Sequence, residues 1–256
     1  VAPPETIATY PYTEQRRRET TVVRLQGRLH AISKGSPELL LGCSDLDANQ
    51  QERWISEVDR LATTGHKVLA CLLWDLDAAW SGGEPDRGGR LLGLLAFEDP
   101  IRGSAAGAAQ ECRNAGIRII MVTGDHPATA THVARALGLL DSAGDDEVIL
   151  GEHLANQLAS VHQGRIRVVA RATPAQKLAL VRALKSRQEI VAVTGDGVND
   201  VPALQAADIG VAMGSRGTRS AREAASIILL NDDFGSLVRA IAEGRQLFRN
   251  LQLSFQ

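Results

Sequence analysis

The chain has 256 residues, 44% hydrophobic and 23% charged, with a formal net charge of −2; it can bury one large core or two modest ones, and near-neutrality excludes wholesale nucleic-acid binding. Its three cysteines, Cys43, Cys71 and Cys112, are scattered, which excludes a C-x-x-C metal framework and suits buried thiols in a reducing compartment. No apolar run approaches the roughly 20 residues of a membrane span, and no signal peptide is visible.

The first part reads β-rich. "TTVVRLQGRLHAIS" holds two strand-like runs around Gln26-Gly27, a hairpin pattern. "QQERWISEVDRLATTG" places Trp54, Ile55, Val58, Leu61 and Ala62 on one helical face, with Gly65 as its stop. "KVLACLLW" reads as a buried strand, and the loop-like "SGGEPDRGGR" (81–90) marks a domain boundary or hinge edge. From Leu91 strands and helices alternate. "LLGLLAF", "IRIIMVTGD", "RIRVVAR", "EIVAVTGDG", "DIGVAMG" and "IILL" read as strands, separated by helical patterns such as "PATATHVARALG" and "PAQKLALVRALKS". Continuous apolar strands in such alternation predict a Rossmann-like parallel sheet with helices on both faces. A smaller α+β lobe precedes it. A long amphipathic helix ends the chain at Gln256 without a Gly or Pro signal, and Val1 is not a start methionine, so a piece of a longer protein is expected.

Ligands of parallel sheets bind at the carboxyl ends of strands. Two strands end in the same tripeptide, Thr123-Gly124-Asp125 and Thr194-Gly195-Asp196, the second extended to T-G-D-G-V-N-D. Either tripeptide alone is explained equally well by turn formation and capping. Repeated at equivalent strand ends, they point to a shared site. Asp196 and Asp200 are hard oxygen ligands suited to Mg²⁺, which is held by one or two carboxylates plus phosphate and water; Asn199 adds polarity without repulsion. Lys177, on the helix after the strand ending at Arg171, could reach back to neutralise phosphoryl and carboxylate charge.

Thr123, Lys177 and the Asp196/Asp200 pair resemble the second, third and fourth motifs of the haloacid dehalogenase superfamily. The string "TGDGVNDVPALQAADIGVAMG" resembles the phosphorylation domain of P-type cation-transporting ATPases. "YPYTEQRRRETTVV", "KGSPE", "FEDPIR", "MVTGDHPATATHVARALGL", "VVARATPAQK" and "AREAASIILLNDDFGSLVRAIAEGR" resemble that family in the expected order. The resemblance implies three parts: residues 1–90 as the end of a nucleotide-binding domain, 91–246 as the phosphorylation domain, and 247–256 as the start of a helix leading to the membrane. It also implies an ATP site. Tyr12 would stack on adenine, with Arg17, Lys34, Gly35 and Lys67 around the nucleotide. Lys67 stands where the family commonly has an arginine, and Glu19 where many members are apolar. Asp99 and Arg102 would lie at the hinge, and Asp125 and Arg171 near nucleotide or phosphate. Thr123 and Gly124 would bind the transferred phosphate and Lys177 the phosphorylated carboxylate. Asp196 would bind Mg²⁺ directly, supported by Asn199 and Asp200.

The family's nucleophile lies in D-K-T-G-T, a string that this chain lacks. The resemblance therefore implies a piece at the cytoplasmic face of a membrane that binds ATP and Mg²⁺ without itself forming the phosphoenzyme. Its partners would be the rest of the pump: nucleophile segment, actuator domain and transmembrane helices. "KGSPE" favours the branch carrying calcium, sodium/potassium, protons or magnesium over heavy-metal pumps. Two alternatives stand. "LACLLWDLDAAW" offers Asp75-Leu76-Asp77 as the D-x-D of a free-standing phosphatase, with Asp75 as nucleophile and Asp77 as acid/base; a non-catalytic nucleotide-binding module is the other.

Overall fold

The computed structural model describes residues 3–77, 79–140 and 147–255. The chain divides into two compact units, Val1–Asp99 and Pro100–Gln256.

The first unit contains β1 (Glu5–Tyr10), β2 (Arg18–Leu25), β3 (Arg28–Gly35), α1 (Pro37–Cys43), α2 (Ala48–Thr63), β4 (Lys67–Leu76) and β5 (Arg90–Phe97). The strands form an antiparallel sheet in chain order, β1-β2-β3-β4-β5. The expected hairpin joins β2 to β3, with Gln26 and Gly27 at φ 50° and 78°. Two consecutive positive φ values suit a two-residue turn whose twist matches that of its strands. On β4, Ala70, Leu72 and Trp74 are buried at period two and pack with Val22, Ala31 and Leu40. Both helices rest against β4, α2 beginning with a capping box between Asp47 and Gln50. This closes one face of the sheet. The other leaves Ile32, Leu95 and Phe97 exposed.

Two readings of the boundary change. The strand at 90–97 does not open the alternating half; it pairs antiparallel with β4, Leu69 facing Leu95 and Lys67 facing Phe97. Nor is 81–90 a slack joint. Gly89 exchanges backbone hydrogen bonds with Cys43 and Asp45 (3.1 and 2.9 Å), and a Cβ there would lie 2.6 Å from the Trp74 ring. Glycine supplies the turn propensity that sequence reading detects, and here it also admits close packing.

The second unit contains α3 (Ala105–Asn114), β6 (Met121–Val122), α4 (Pro127–Ala136), β7 (Val148–Leu150), α5 (Leu154–His162), β8 (Val168–Ala170) and α6 (Pro174–Ser186). It continues with β9 (Ala192–Gly195), α7 (Val201–Ala206), β10 (Ile209–Met213), α8 (Arg219–Ala224), β11 (Ile227–Leu229) and α9 (Phe234–Ser254). All its strand pairs are parallel, as the alternation predicts, but they make two three-stranded sheets, β6-β8-β7 and β11-β10-β9. β7 and α5 add a strand and a helix that the apolar pattern did not isolate.

The middle strands are covered on both faces. Val168 and Ala170 of β8 pack with Ala130 and Ala134 of α4, whereas Val169 packs with α5 and α6. On β10, Val211 meets Leu237 of α9, and Ala212 meets Leu204 and Ala221. Among the described residues, the two strands that end in T-G-D, β6 and β9, are both edge strands with one ladder partner each. Only Met121 and Val122 of the expected "IRIIMV" strand are laddered. A strand paired on one side holds fewer ladder bonds, and β6 is correspondingly short.

α9 buries Leu237 and Val238 near its start and exposes Leu247, Phe248, Leu251, Leu253 and Phe255 towards its end. Gln256 lies outside the described residues. Among the described residues no helix is long and apolar enough to cross a membrane.

Candidate active site

In the second unit the two T-G-D tips are built differently. At the first, the Thr123 hydroxyl accepts from the Asp125 amide (3.1 Å) and donates to Asp125 Oδ2 (2.9 Å). The neighbouring strand end fastens this turn: the Ala172 amide donates to Thr123 O (2.9 Å) and the Arg171 amide to Asp125 O (3.1 Å). Arg171 reaches that position at φ 52°. A non-glycine residue in left-handed backbone costs of order 1 kcal/mol and persists where surrounding contacts impose it. Gly124 is exposed, and the nearest atom to a Cβ there would be Ala172 O at 3.8 Å. No packing demands glycine here, and the space beside this strand tip is open.

At the second tip, packing does demand glycine. A Cβ on Gly195 would lie 2.5 Å from Asp200 Cβ. Beyond it the chain makes a 3₁₀ turn, Val198–Asp200, leading into α7. The Gly197 amide donates to Asp200 Oδ2 (3.3 Å), and Lys177 Nζ donates to Asp200 Oδ1 at 2.6 Å. The Lys177 and Asp200 side chains are 19% and 16% exposed. Lys177 is held by its helix: Thr173 and Gln176 form a capping box at the start of α6, and Leu180, Val181 and Leu184 bury its far face. The lysine and the aspartate, far apart in sequence, thus meet at one strand tip, a pairing that the sequence pattern does not name.

The two carboxylates of T-G-D-G-V-N-D have separate surroundings. Asp200 is matched by an ammonium and an amide. Asp196 is exposed, its carbonyl accepting from Thr218 N (2.8 Å), and its carboxylate has no ion-pair partner among the described residues. Asn199 is also exposed. Among the described residues no group of three or more His, Cys, Asp or Glu side chains could hold a metal by itself. One unpaired hard carboxylate beside a paired one suits a Mg²⁺ ion that takes its other ligands from phosphate and water.

Of the expected nucleotide residues, Tyr12, Arg17, Lys34, Gly35, Lys67 and Asp99 lie in the first unit and Arg102, Asp125 and Arg171 in the second. Tyr12, 55% exposed, and Arg17, at φ 47°, lie on the connection between β1 and β2. The Arg17 carbonyl accepts from the Ser36 amide (2.9 Å), and a Cβ on Gly35 would lie 2.5 Å from that oxygen. Lys34 faces Cys71 across the ladder, and its ammonium lies 3.3 Å from Glu19. By strand alternation Lys67 shares that sheet face, opposite α1 and α2. Burial raises the Cys71 thiol pKa, with the charge of Lys34 acting against it. Asp99 is exposed. Arg102 donates to the Asp232 carbonyl, a contact that sequence reading did not anticipate.

Asp232 was not singled out in the sequence. It is 5% exposed and accepts from the Ser215 and Arg216 amides at 2.9 and 3.0 Å. Burial works to raise its pKa, but these amides, that of Gly214 and the Arg102 charge outweigh it and hold the carboxyl below the usual range. The available signal was the paired acid of "NDDF", which is indistinguishable from a helix N-cap; Asp233 is that cap.

The phosphatase geometry around Asp75 is not formed. Asp75 sits on β4 opposite His30 of antiparallel β3, its Oδ1 2.7 Å from His30 Nδ1, and the Asp77 carboxylate accepts from the Ala79 amide (3.0 Å). Ligands of parallel sheets bind at the carboxyl ends of strands, and Asp75 lies on an antiparallel strand. β4 belongs to another sheet.

A haloacid dehalogenase-like hydrolase profile matches residues 21–208. The chain belongs to that family. It is also 36% identical over 261 residues to a calcium-transporting ATPase of Bacillus subtilis, covering 96% of this chain and 29% of that protein. Similarity to a probable cation-transporting ATPase F of Mycobacterium bovis is 38% over 267 residues, with the same coverages. A P-type sodium-transporting ATPase4 of Toxoplasma gondii is 43% identical over 175 residues, 63% of this chain and 13% of that one. This haloacid dehalogenase-like chain therefore spans under a third of the length of the curated relatives it matches, and the resemblance to cation-transporting ATPases is borne out.

Proposed function

We propose that the chain is the ATP- and Mg²⁺-binding catalytic portion of a P-type ATPase, which couples ATP hydrolysis through an aspartyl phosphate to cation transport. The Lys177–Asp200 ion pair at the second T-G-D strand tip, its lysine on the helix after the strand that pairs with the first, carries this reading. The similarity to transporting ATPases over nearly the whole chain supports it. The first unit, 1–99, acts as the end of the nucleotide-binding domain, the second as the phosphorylation domain, and the exposed end of α9 leads towards the membrane at its cytoplasmic face.

Tyr12 stacks on adenine, and Arg17, Lys34, Gly35 and Lys67 hold the nucleotide. Asp99 and Arg102 lie at the hinge, and Asp125 and Arg171 near nucleotide. The attacking aspartate belongs to a segment outside this chain, and its natural place is an additional strand on the edges offered by β6 and β9. Its oxygen bonds to the γ-phosphorus as the bond to ADP breaks. Thr123 and Gly124 hold the transferred phosphoryl oxygens, and Lys177 balances charge on the phosphorylated carboxylate. Asp196, with Asn199 and Asp200 behind it, holds Mg²⁺, which neutralises phosphate charge when bound.

Incubation with γ-labelled ATP and Mg²⁺ tests the reading. This chain alone should bind nucleotide, more weakly after Lys34→Ala, and acquire no label. A protein extended to include an upstream D-K-T-G-T should label, and Asp196→Ala should abolish it. Turnover by the chain alone that disappears in Asp75→Asn would overturn the proposal in favour of a phosphatase.

A further inference from the structure

The loop 81–89 takes no part in the chemistry above, yet it is pinned along its length. Tyr10 Oη donates to Gly82 O (2.6 Å), Trp80 Nε1 to Gly83 O (2.8 Å) and Trp74 Nε1 to Arg87 O (2.8 Å). Between these anchors Glu84 turns inward, its side chain 13% exposed. Glu84 Oε1 accepts from Thr20 Oγ1 at 2.6 Å and lies 3.1 Å from Arg18 Nε; Oε2 lies 3.3 Å from Arg16 Nη1.

These partners stand where β2 begins. Arg16 also donates back to the Pro11 carbonyl, and the Arg17 amide donates to Thr13 O at 2.7 Å. One carboxylate thus ties Arg16, in the turn 11–17, to Arg18 and Thr20 of β2. The Arg17 carbonyl joins that turn to the Lys34-Gly35-Ser36 segment through the Ser36 amide. The loop already has three aromatic anchors, so holding it down needs no charge. A nearly buried carboxylate with two guanidinium partners is no better for stability than well-packed apolar groups. What it adds is directional: a fixed fork geometry that sets where the turn lies.

We propose that Glu84 is a positioning residue for nucleotide binding, fixing the turn 11–17 so that Tyr12 and Arg17 meet an adenine nucleotide beside Lys34. This rests on the ATP-binding reading above. Glu84 touches no ligand itself; it acts through Arg16, Arg18 and Thr20.

The test is a mutant cycle on the full chain, with trinitrophenyl-ATP as fluorescent probe. Tyr12→Ala and Glu84→Ala should each weaken binding by about tenfold. Because both act through one turn, the double variant should lose little more than either single. Glu84→Ala with Lys34→Ala should instead lose the product of the two factors. Glu84→Gln, which keeps the shape, guards against misfolding: its binding should fall about threefold with circular dichroism unchanged. Hydrogen exchange of the Arg17 and Ser36 amides should then rise while α2 stays protected. Multiplicative loss in the Tyr12/Glu84 pair, or unchanged exchange at those amides, would overturn the role of Glu84. Absence of probe binding by the unaltered chain would instead sink the nucleotide reading, and the exchange measurement would still report on the clamp.

Discussion

Asp196 and Asp200 carry the same side chain on one short turn, and their neighbours give them different work. Lys177→Ala leaves Asp200 partly buried without its cation. Fully buried pairs lose about 3–5 kcal/mol on such truncation. With both side chains slightly exposed, we expect about 1–3 kcal/mol, read as a fall in the urea midpoint. Asp196→Ala removes an exposed group and should change stability by no more than about 0.5 kcal/mol, while, on the function proposed above, removing Mg²⁺-dependent labelling of a protein extended to include the nucleophile. A second consequence concerns acid. Asp208 accepts from the Val191 amide (2.9 Å) and pairs with Lys185 (3.0 Å), and these hold its pKa below the ordinary value of 3.8. Its contribution is therefore complete above about pH 4 and is lost as pH falls through that value towards the depressed one. In melting scans between about pH 6 and pH 3, Asp208→Asn should flatten the acid limb and leave the neutral end lowered.

Among the elements, those set by local chemistry follow the sequence closely. The β2–β3 hairpin turns at Gln26-Gly27, α6 begins with its Thr173/Gln176 box, and α2 ends before Gly65. The misread elements depend on partners elsewhere in the chain. β5 is as apolar as a parallel core strand, but its neighbour is β4; periodicity reports burial and not the direction of the adjacent strand. Gly35 shows how tightly an element end can be packed. A Cβ there would lie 2.5 Å from Arg17 O and 2.7 Å from Arg18 Cα, both backbone atoms that cannot swing aside. Gly35→Ala should cost about 1–3 kcal/mol in denaturant unfolding. It should also weaken nucleotide binding more than an exposed control such as Gly103→Ala, where a Cβ would meet nothing within 4 Å.

At the scale of the whole molecule, the two units solve the sheet problem differently. In the first, four connections of an antiparallel meander bring each strand to its neighbour in order. In the second, the parallel strands are covered by helices and the T-G-D strands are left at edges. Backbone amides of singly paired strands open more readily than those of strands paired on both sides. Hydrogen exchange should find Val168–Ala170 and Val211–Ala212 the best protected strand segments of the second unit. Met121–Val122 and Ala192–Gly195 should exchange faster, and slow when an upstream nucleophile-bearing segment is supplied. Equal protection across these strands would refute the edge assignment.

By itself, the sequence determined the chemistry: two T-G-D strand tips, a lysine on the helix between them, and the acidic turn after the second. These were legible because each lies within a short segment, where glycine, aspartate and lysine at fixed offsets are visible in the chain itself. It also determined the order of most helices and strands, because burial leaves a period in the chain. Tertiary structure alone decided that Asp200 belongs to Lys177 while Asp196 stays exposed, that the parallel strands split into two sheets, and that Asp75 lies on an antiparallel strand. It alone turned Glu84 from a loop residue into a nearly buried clasp and Asp232 from a helix-start acid into an anchor for amides. Each of these depends on contacts between residues distant in sequence, and no local pattern records which distant partner a charge or a strand edge will find.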